Sequence, residues 1–218
     1  MKIAKRTKLT ISTFGTILGI AGLEHGVGEI LQGNINPGTF FILSWPNNVL
    51  YEVLAGEPAF TIIPNMRITG ITAIIVSLMM IIWSIGFIEK KYGATGIILI
   101  SLLMFLFGAG FAGPILIGVV LGLAAIRMNS KVQKKQKSIL FQKFTSRLWI
   151  VSYLISLFSW LTLWPGIIIY TYILGEFPET AFIYLILMSF ISLILAVFSG
   201  LARDRMNQSG FIEEKEKD

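Results

Sequence analysis

The chain contains no cysteine, which excludes thiol redox chemistry, thiolate-bound zinc, iron–sulfur centres and any disulfide framework. It is also short of charge: 14% of its 218 residues are Asp, Glu, Lys or Arg, where a soluble domain carries roughly 25%. Histidine occurs once, at His25. No Walker A loop, His-Glu-x-x-His helix, Gly-x-Ser-x-Gly elbow or strand-preceded Gly-x-Gly-x-x-Gly is found, so nothing spells a familiar catalytic site.

What the chain does have is apolar length. Hydrophobic residues make up 55% of it and the mean hydropathy is +0.77, more than one soluble core can bury. Residues 9–31, 68–88, 148–174 and 181–202 are each long enough to cross a hydrocarbon core of ~30 Å as a helix. The 34 residues from Gly93 to Ile126 would extend for ~50 Å as one helix. They are interrupted by Gly108-Ala-Gly-Phe-Ala-Gly-Pro114, where helix propensity and one backbone donor are lost together. Two readings follow: short spans at 94–108 and 112–126 joined by a tight turn, or one tilted and kinked span.

Basic residues near span ends stay on the cytoplasmic side, and they favour the first reading. With six spans, 17 of the 18 basic residues fall on one side and only Arg67 on the other. Opposite the bases lie Glu24, Glu29, Glu52, Glu57, Glu176 and Glu179. The expected fold is thus an all-α, polytopic bundle of about six transmembrane helices forming a single domain. Both termini would be cytoplasmic, with the plasma membrane the expected location. A long structured outer loop would occupy 32–67, a basic cytoplasmic loop 127–147 and a polar tail 203–218. Met1 to Lys8, the apolar run after it, and Gly19 and Ala21 also resemble a secretory signal, although the run continues past Ala21 as a glycine-rich helix.

Several features indicate partners. Trp149, Tyr153, Trp160, Trp164, Tyr170 and Tyr172 crowd the fifth span and read as anchors facing lipid at its ends. Pro165-Gly166 should bend that helix. The basic loop mixes Lys134, Lys135, Lys137 and Lys143 with Ile139, Leu140, Phe141 and Phe144, a composition that can lie on an anionic inner leaflet; no nucleic-acid-binding fold accompanies it. Gly15, Gly19, Gly22 and Gly26 form a smooth stripe on the first helix where another helix can approach, and Gly118 and Gly122 form a lone pair of the same kind.

Polar chemistry concentrates at one end of that first helix. His25 and Glu29 are one turn apart and share a face, whereas Glu24 points away from the stripe. Counted from Lys8, Glu24 and His25 lie ~24–26 Å along the helix and Glu29 ~32 Å, near the outer boundary of the membrane. Ionisable groups there are either hydrated or used. The following loop, residues 32–67, is too long for a simple connection and too apolar for disorder; Pro37, Pro46, Pro58 and Pro64 punctuate it. It reads as a cap of short interfacial or re-entrant segments that brings Glu52, Glu57, Asn65 and Arg67 towards the first helix. Glu24, His25, Glu29, Glu57 and Arg67 are the candidate ligand-binding residues. Arg67 is expected to pair with Glu24 or Glu29, since an unpaired guanidinium in a partly dry vestibule is costly. His25 and Glu29, with Glu52 or Glu57, could supply metal ligands at helical spacing. Three functions remain open: transport or binding of a small solute or cation, a membrane-embedded metal-dependent enzyme, or an accessory subunit whose glycine stripes bind a partner. No cofactor is specified by these residues.

Overall fold

The computed structural model describes residues 5–130 and 139–215. Lys134, Lys135 and Lys137, which carry much of the expected leaflet contact, lie outside the described residues. The chain forms α1 (Lys5–Leu31), β1 (Phe41–Leu43), a 3-10 turn at Val49–Tyr51, β2 (Pro58–Phe60), α2 (Met66–Gly86), α3 (Gly93–Leu106) and α4 (Ala112–Asn129). It continues as α5 (Ile139–Leu161), a π-helical turn at Thr162–Gly166, α6 (Ile167–Leu174) and α7 (Glu179–Lys215). Among the described residues, the regular structure is helical apart from one small hairpin, and four stretches are long and apolar enough to cross a membrane: Met66–Gly86, Ala112–Asn129, Arg147–Leu174 and Glu179–Met206. This is an integral membrane protein.

Residue distribution on α2 shows the logic of such a fold. Its buried positions include Thr69, Gly70, Ala73, Ser77 and Ser84, whereas Ile68, Ile71, Ile75, Leu78, Ile82 and Ile85 are exposed. Small and polar residues face inward because they permit close backbone approach, and large apolar ones face a solvent as apolar as themselves. The glycine stripe of α1 lies on this inner face. Gly15 meets Ser84, Gly19 meets Ile81 and Ser77, and Gly26 meets Gly70 and Ile74, which makes α1 and α2 antiparallel. A Cβ at Gly19 would stand 2.5 Å from Ile81 and 2.8 Å from the Ser77 carbonyl. The stripe offered to a partner by the sequence is therefore covered by the protein's own α2. Gly118 and Gly122 likewise pack on Ser101 and Ile98 of α3.

Residues 93–129 form two helices rather than one. Gly108 (φ +88°) and Gly110 (φ +101°) adopt backbone conformations that L side chains rarely reach, and they reverse the chain within a few residues. Pro114 lies beyond the turn, in the first turn of α4, where its missing N–H costs no hydrogen bond. Pro165 instead sits mid-helix; the chain widens to a π-turn there, with the Ile167 N–H donating to the Thr162 carbonyl.

Of the six aromatic residues expected as lipid anchors, the three in α5, Trp149, Tyr153 and Trp160, pack into the bundle instead. Trp149 stacks on Tyr153 at 5.4 Å and its indole N–H donates to Thr10 Oγ1 at 3.2 Å. The Tyr153 hydroxyl meets Thr13 Oγ1 at 2.9 Å, and Trp160 packs edge-on against Phe190 of α7. The polar tips of Trp149 and Tyr153 find partners inside the bundle, so their burial gains both area and hydrogen bonds, whereas the Trp160 indole N–H is buried without one. Tyr172 remains exposed.

Alternation of helix direction gives the bundle two unlike ends. At one end gather Arg6, Lys8, Lys90, Lys91, Arg127, Arg203 and Arg205. The other end is closed by the cap, residues 32–65, together with the α3–α4 turn, the π-turn and α6. Between them runs a core of Ile11, Phe14, Leu18, Met80, Met104, Ile117, Leu121 and Leu193.

Candidate functional site

The cap is a hairpin held against the last turns of α1. Phe41, Ile42 and Leu43 pair with Phe60, Ala59 and Pro58 in antiparallel register. The pairing continues as Ser44 N–H to the Glu57 carbonyl and Trp45 N–H to the Gly56 carbonyl, both at 3.0 Å. Asn48 then caps a 3-10 turn by accepting from the Leu50 N–H at 3.1 Å, which presents Tyr51 inward. The return is tight: Asn47 (φ 58°), Ala55 (φ 52°) and Glu57 (φ 55°) are non-glycine residues in the left-handed region. Such conformations cost roughly 1–2 kcal/mol each and persist only where the surroundings demand them.

Three contacts fasten the hairpin to the helices. Gln32 at the end of α1 donates to the carbonyls of Leu43 at 2.9 Å and Ser44 at 3.0 Å. On the α3–α4 side, Ile62 N–H donates to Leu106 O and Gly108 N–H to Phe60 O. On the α6 side, Tyr51 and Leu54 pack on Ile167.

Thus fastened, the cap delivers Ser44, Trp45, Tyr51 and Glu57 to the face of α1 that carries Glu24, His25 and Glu29. His25 Nε2 lies 3.1 Å from Glu57 Oε2, and its Nδ1 lies 2.7 Å from Ser44 Oγ. Ser44 Oγ donates to Glu29 Oε1 at 3.3 Å. One ligand atom each of Glu24, His25 and Glu57 falls within 4.8 Å of the others, the grouping needed to hold one ion. His25 is 6% exposed and Glu29 0%. Floor space comes from the α3–α4 turn, where a Cβ on Gly110 would stand 3.1 Å from His25 Nε2 and one on Gly108 2.7 Å from Glu29 Oε2.

Proton accounting limits the arrangements open to His25. Ser44 has a single hydroxyl proton, and giving it to Glu29 obliges the oxygen to accept from His25. In the neutral ring Nδ1 then carries the proton and Nε2 turns a lone pair towards Glu57; in the imidazolium both nitrogens donate. Two lone-pair atoms 3.1 Å apart repel unless a positive centre lies between them. Glu24 has donors beside it but none in hydrogen-bond geometry: both its oxygens are buried and accept no hydrogen bond from the protein, and the same holds for Glu29 Oε2. Trp45 and Tyr51, stacked on each other at 4.8 Å, lie beside the Glu24 carboxylate without reaching hydrogen-bond geometry. Burial first, and then the neighbouring Glu24 carboxylate, hold the Tyr51 phenol well above its usual pKa, so it remains a protonated donor.

Of the five residues singled out from sequence, Glu24, His25 and Glu57 converge and Glu29 joins them through Ser44. Arg67 does not. It is exposed in the first turn of α2 and forms no ion pair with Glu24 or Glu29, correcting the expected contact. Both carboxylates turn inward beneath the cap, while the backbone N–H of Arg67, not its guanidinium, ties it to Gly33 O at 3.1 Å. Glu52 is exposed and stands outside the cluster. Ser44, Trp45, Tyr51 and Gln32 carried no signal in the sequence beyond their place in an unusually long loop. Comparison with protein-family models, with curated proteins and with solved structures gives no match, so the site speaks through its own geometry.

Proposed function

We propose that the protein binds a small cation beneath the cap, at Glu24, His25 and Glu57. The observation that carries this is the convergence of two carboxylates and the sole histidine on one point, with acceptor atoms that no protein donor satisfies. Carboxylates of this kind are tolerated in a buried place when a positive charge accompanies them. Passage across the membrane is left out of the proposal, because fully buried Phe14, Met104 and Leu121 fill the interior beyond the site.

The reading extends to topology. Six spans, with the basic end cytoplasmic and the capped site facing outward across the plasma membrane, accord with the retention of basic residues inside. The absence of cysteine makes this directly testable. Glu176→Cys should react with an impermeant thiol reagent added outside intact cells, and Lys90→Cys should not; the reverse pattern overturns the orientation.

Binding is tested by thermal unfolding of the purified protein across a panel of mono- and divalent cations. A ligand at 100 times its Kd stabilises by about 2.7 kcal/mol, which a melting curve resolves. Stabilisation that disappears in Glu57→Gln supports the site. No response to any cation overturns it.

A further inference from the structure

We propose that the cation is a divalent transition metal of the zinc class, held by His25 Nε2 and one oxygen each from Glu24 and Glu57, with Ser44 and Glu29 orienting the imidazole. The inference rests on the cation-binding reading and adds the identity of the ligand. Donor type argues first. Calcium and magnesium take oxygen ligands, six or more around calcium, whereas one imidazole with two carboxylates suits zinc, cobalt or manganese. Distance argues next. Metal–ligand bonds of ~2.0–2.1 Å in a tetrahedron place neighbouring ligand atoms about 3.3 Å apart. His25 Nε2 and Glu57 Oε2 are already at 3.1 Å, and with all three ligand atoms within 4.8 Å of one another the Glu24 carboxylate needs only a small side-chain movement to close the set.

The third argument is the side of the imidazole away from the proposed metal. A metal-bound histidine characteristically gives its other N–H to an oxygen that fixes its tautomer and ring orientation. His25 Nδ1 is placed to do so, 2.7 Å from Ser44 Oγ, and Ser44 in turn donates a hydrogen bond to the fully buried Glu29 at 3.3 Å. A plain His25–Glu57 ion pair requires a proton on Nε2 and leaves Glu24 without a counter-charge. A divalent metal balances Glu24 and Glu57 together and uses the lone pair that the Ser44 contact leaves on Nε2. Among the described residues no lysine or arginine pairs with any of these acids. Three protein ligands leave a fourth position for water or an external molecule, the arrangement of metal sites that do chemistry rather than hold a fold together.

The test uses the full-length protein in detergent, freed of metal by chelation and of any polyhistidine tag. Calorimetric titration with Zn2+ should show one site per chain, with affinity falling at least 100-fold in Glu57→Gln and His25→Gln and about 10- to 100-fold in Ser44→Ala. Should the His25 variant not fold, unmutated protein loaded with Cu2+ serves instead. Because His25 is the only histidine, imidazole-nitrogen coupling in its paramagnetic resonance spectrum assigns that ligand directly. Absence of the coupling overturns the inference. Stabilisation by Na+, K+, Mg2+ or Ca2+ with none by Zn2+, Co2+ or Mn2+ also overturns it while leaving cation binding intact. Silence from every cation removes both.

Discussion

The two ends of α1 both bury carboxylates, and they surround them differently. At the basic end, Asp204 of α7 reaches across to the start of α1 and is 5% exposed. It accepts from the Thr7 N–H and the Thr7 hydroxyl, each at 2.8 Å, and from the Arg6 N–H at 3.4 Å; the Arg6 guanidinium stands 4.0 Å away. The first turn of any helix has N–H groups without intrahelical partners and a partial positive charge, and Asp204 answers both from another helix. At the cap end, Glu24 and Glu29 lie near the other terminus of the same helix, where the dipole offers them nothing. Three of their four oxygens accept no hydrogen bond from the protein. A buried acid with its donors in place is a structural tie; a buried acid without them is a ligand group. Burial alone does not separate the two kinds, since Asp204 is 5% exposed and Glu29 0%; the donors around each acid do.

The change with the largest effect should damage both ends at once. Gly19→Leu inserts a side chain where even a Cβ meets Ile81 and the Ser77 carbonyl, and the two backbones must separate. A loss of about 3 kcal/mol or more is expected in denaturant titration in mixed micelles. Unchanged stability would mean that α1 is not positioned by its glycine face, and the common scaffold of the two ends would be lost.

Next in size comes the contrast itself. Asp204→Ala leaves the Arg6 and Thr7 donors buried without an acceptor and should lower stability by about 2 kcal/mol. Glu24→Gln in metal-free protein should act in the opposite direction, by about 1 kcal/mol, since it removes a charge that the protein alone does not neutralise. With Zn2+ present the sign for Glu24→Gln should reverse, because the variant forfeits the stabilisation that binding supplies. If both variants destabilise metal-free protein alike, the distinction between tie and ligand group fails.

How much of this was legible in the sequence follows from range. Features written in short-range pattern could be read: the glycine stripe at helical spacing, the break at Gly108–Gly110, and the polar cluster Glu24, His25 and Glu29 within six residues. That Glu57 joins them while Glu52 does not depends on the hairpin register and on a left-handed backbone at Glu57, neither of which has periodicity to betray it. Ser44 looked like any loop serine, and Asp204 like part of a solvated tail, because their partners lie 15 to 19 and 197 residues away. The expected Arg67 contact failed for a related reason. Arg67 and both glutamates do lie at the capped ends of their helices, but position along a helix does not fix the direction in which a side chain turns. Aromatic residues on α5 were misjudged by the same limit, since amphipathic rings suit a lipid boundary and an interhelical seam equally well.

The smallest effect tests whether burial and donors, rather than proximity, decide what an acid contributes. Lys8 and Glu89 lie at the same end as Asp204, with Nζ and Oε2 only 2.6 Å apart, a closer approach than any made by Asp204. Both side chains are 35% exposed, so water competes for each charge and two flexible side chains must be held still to keep the contact. A double-mutant cycle with Lys8→Met and Glu89→Gln should give a coupling below about 1 kcal/mol that shrinks further in high salt. Asp204, whose partners are backbone N–H groups and a buried hydroxyl, should show no comparable salt dependence, because screening ions do not reach it. A Lys8–Glu89 coupling as large as the Asp204→Ala loss would make short distance the deciding quantity. His25 and Glu57 at 3.1 Å would then need nothing more than their mutual attraction to explain them.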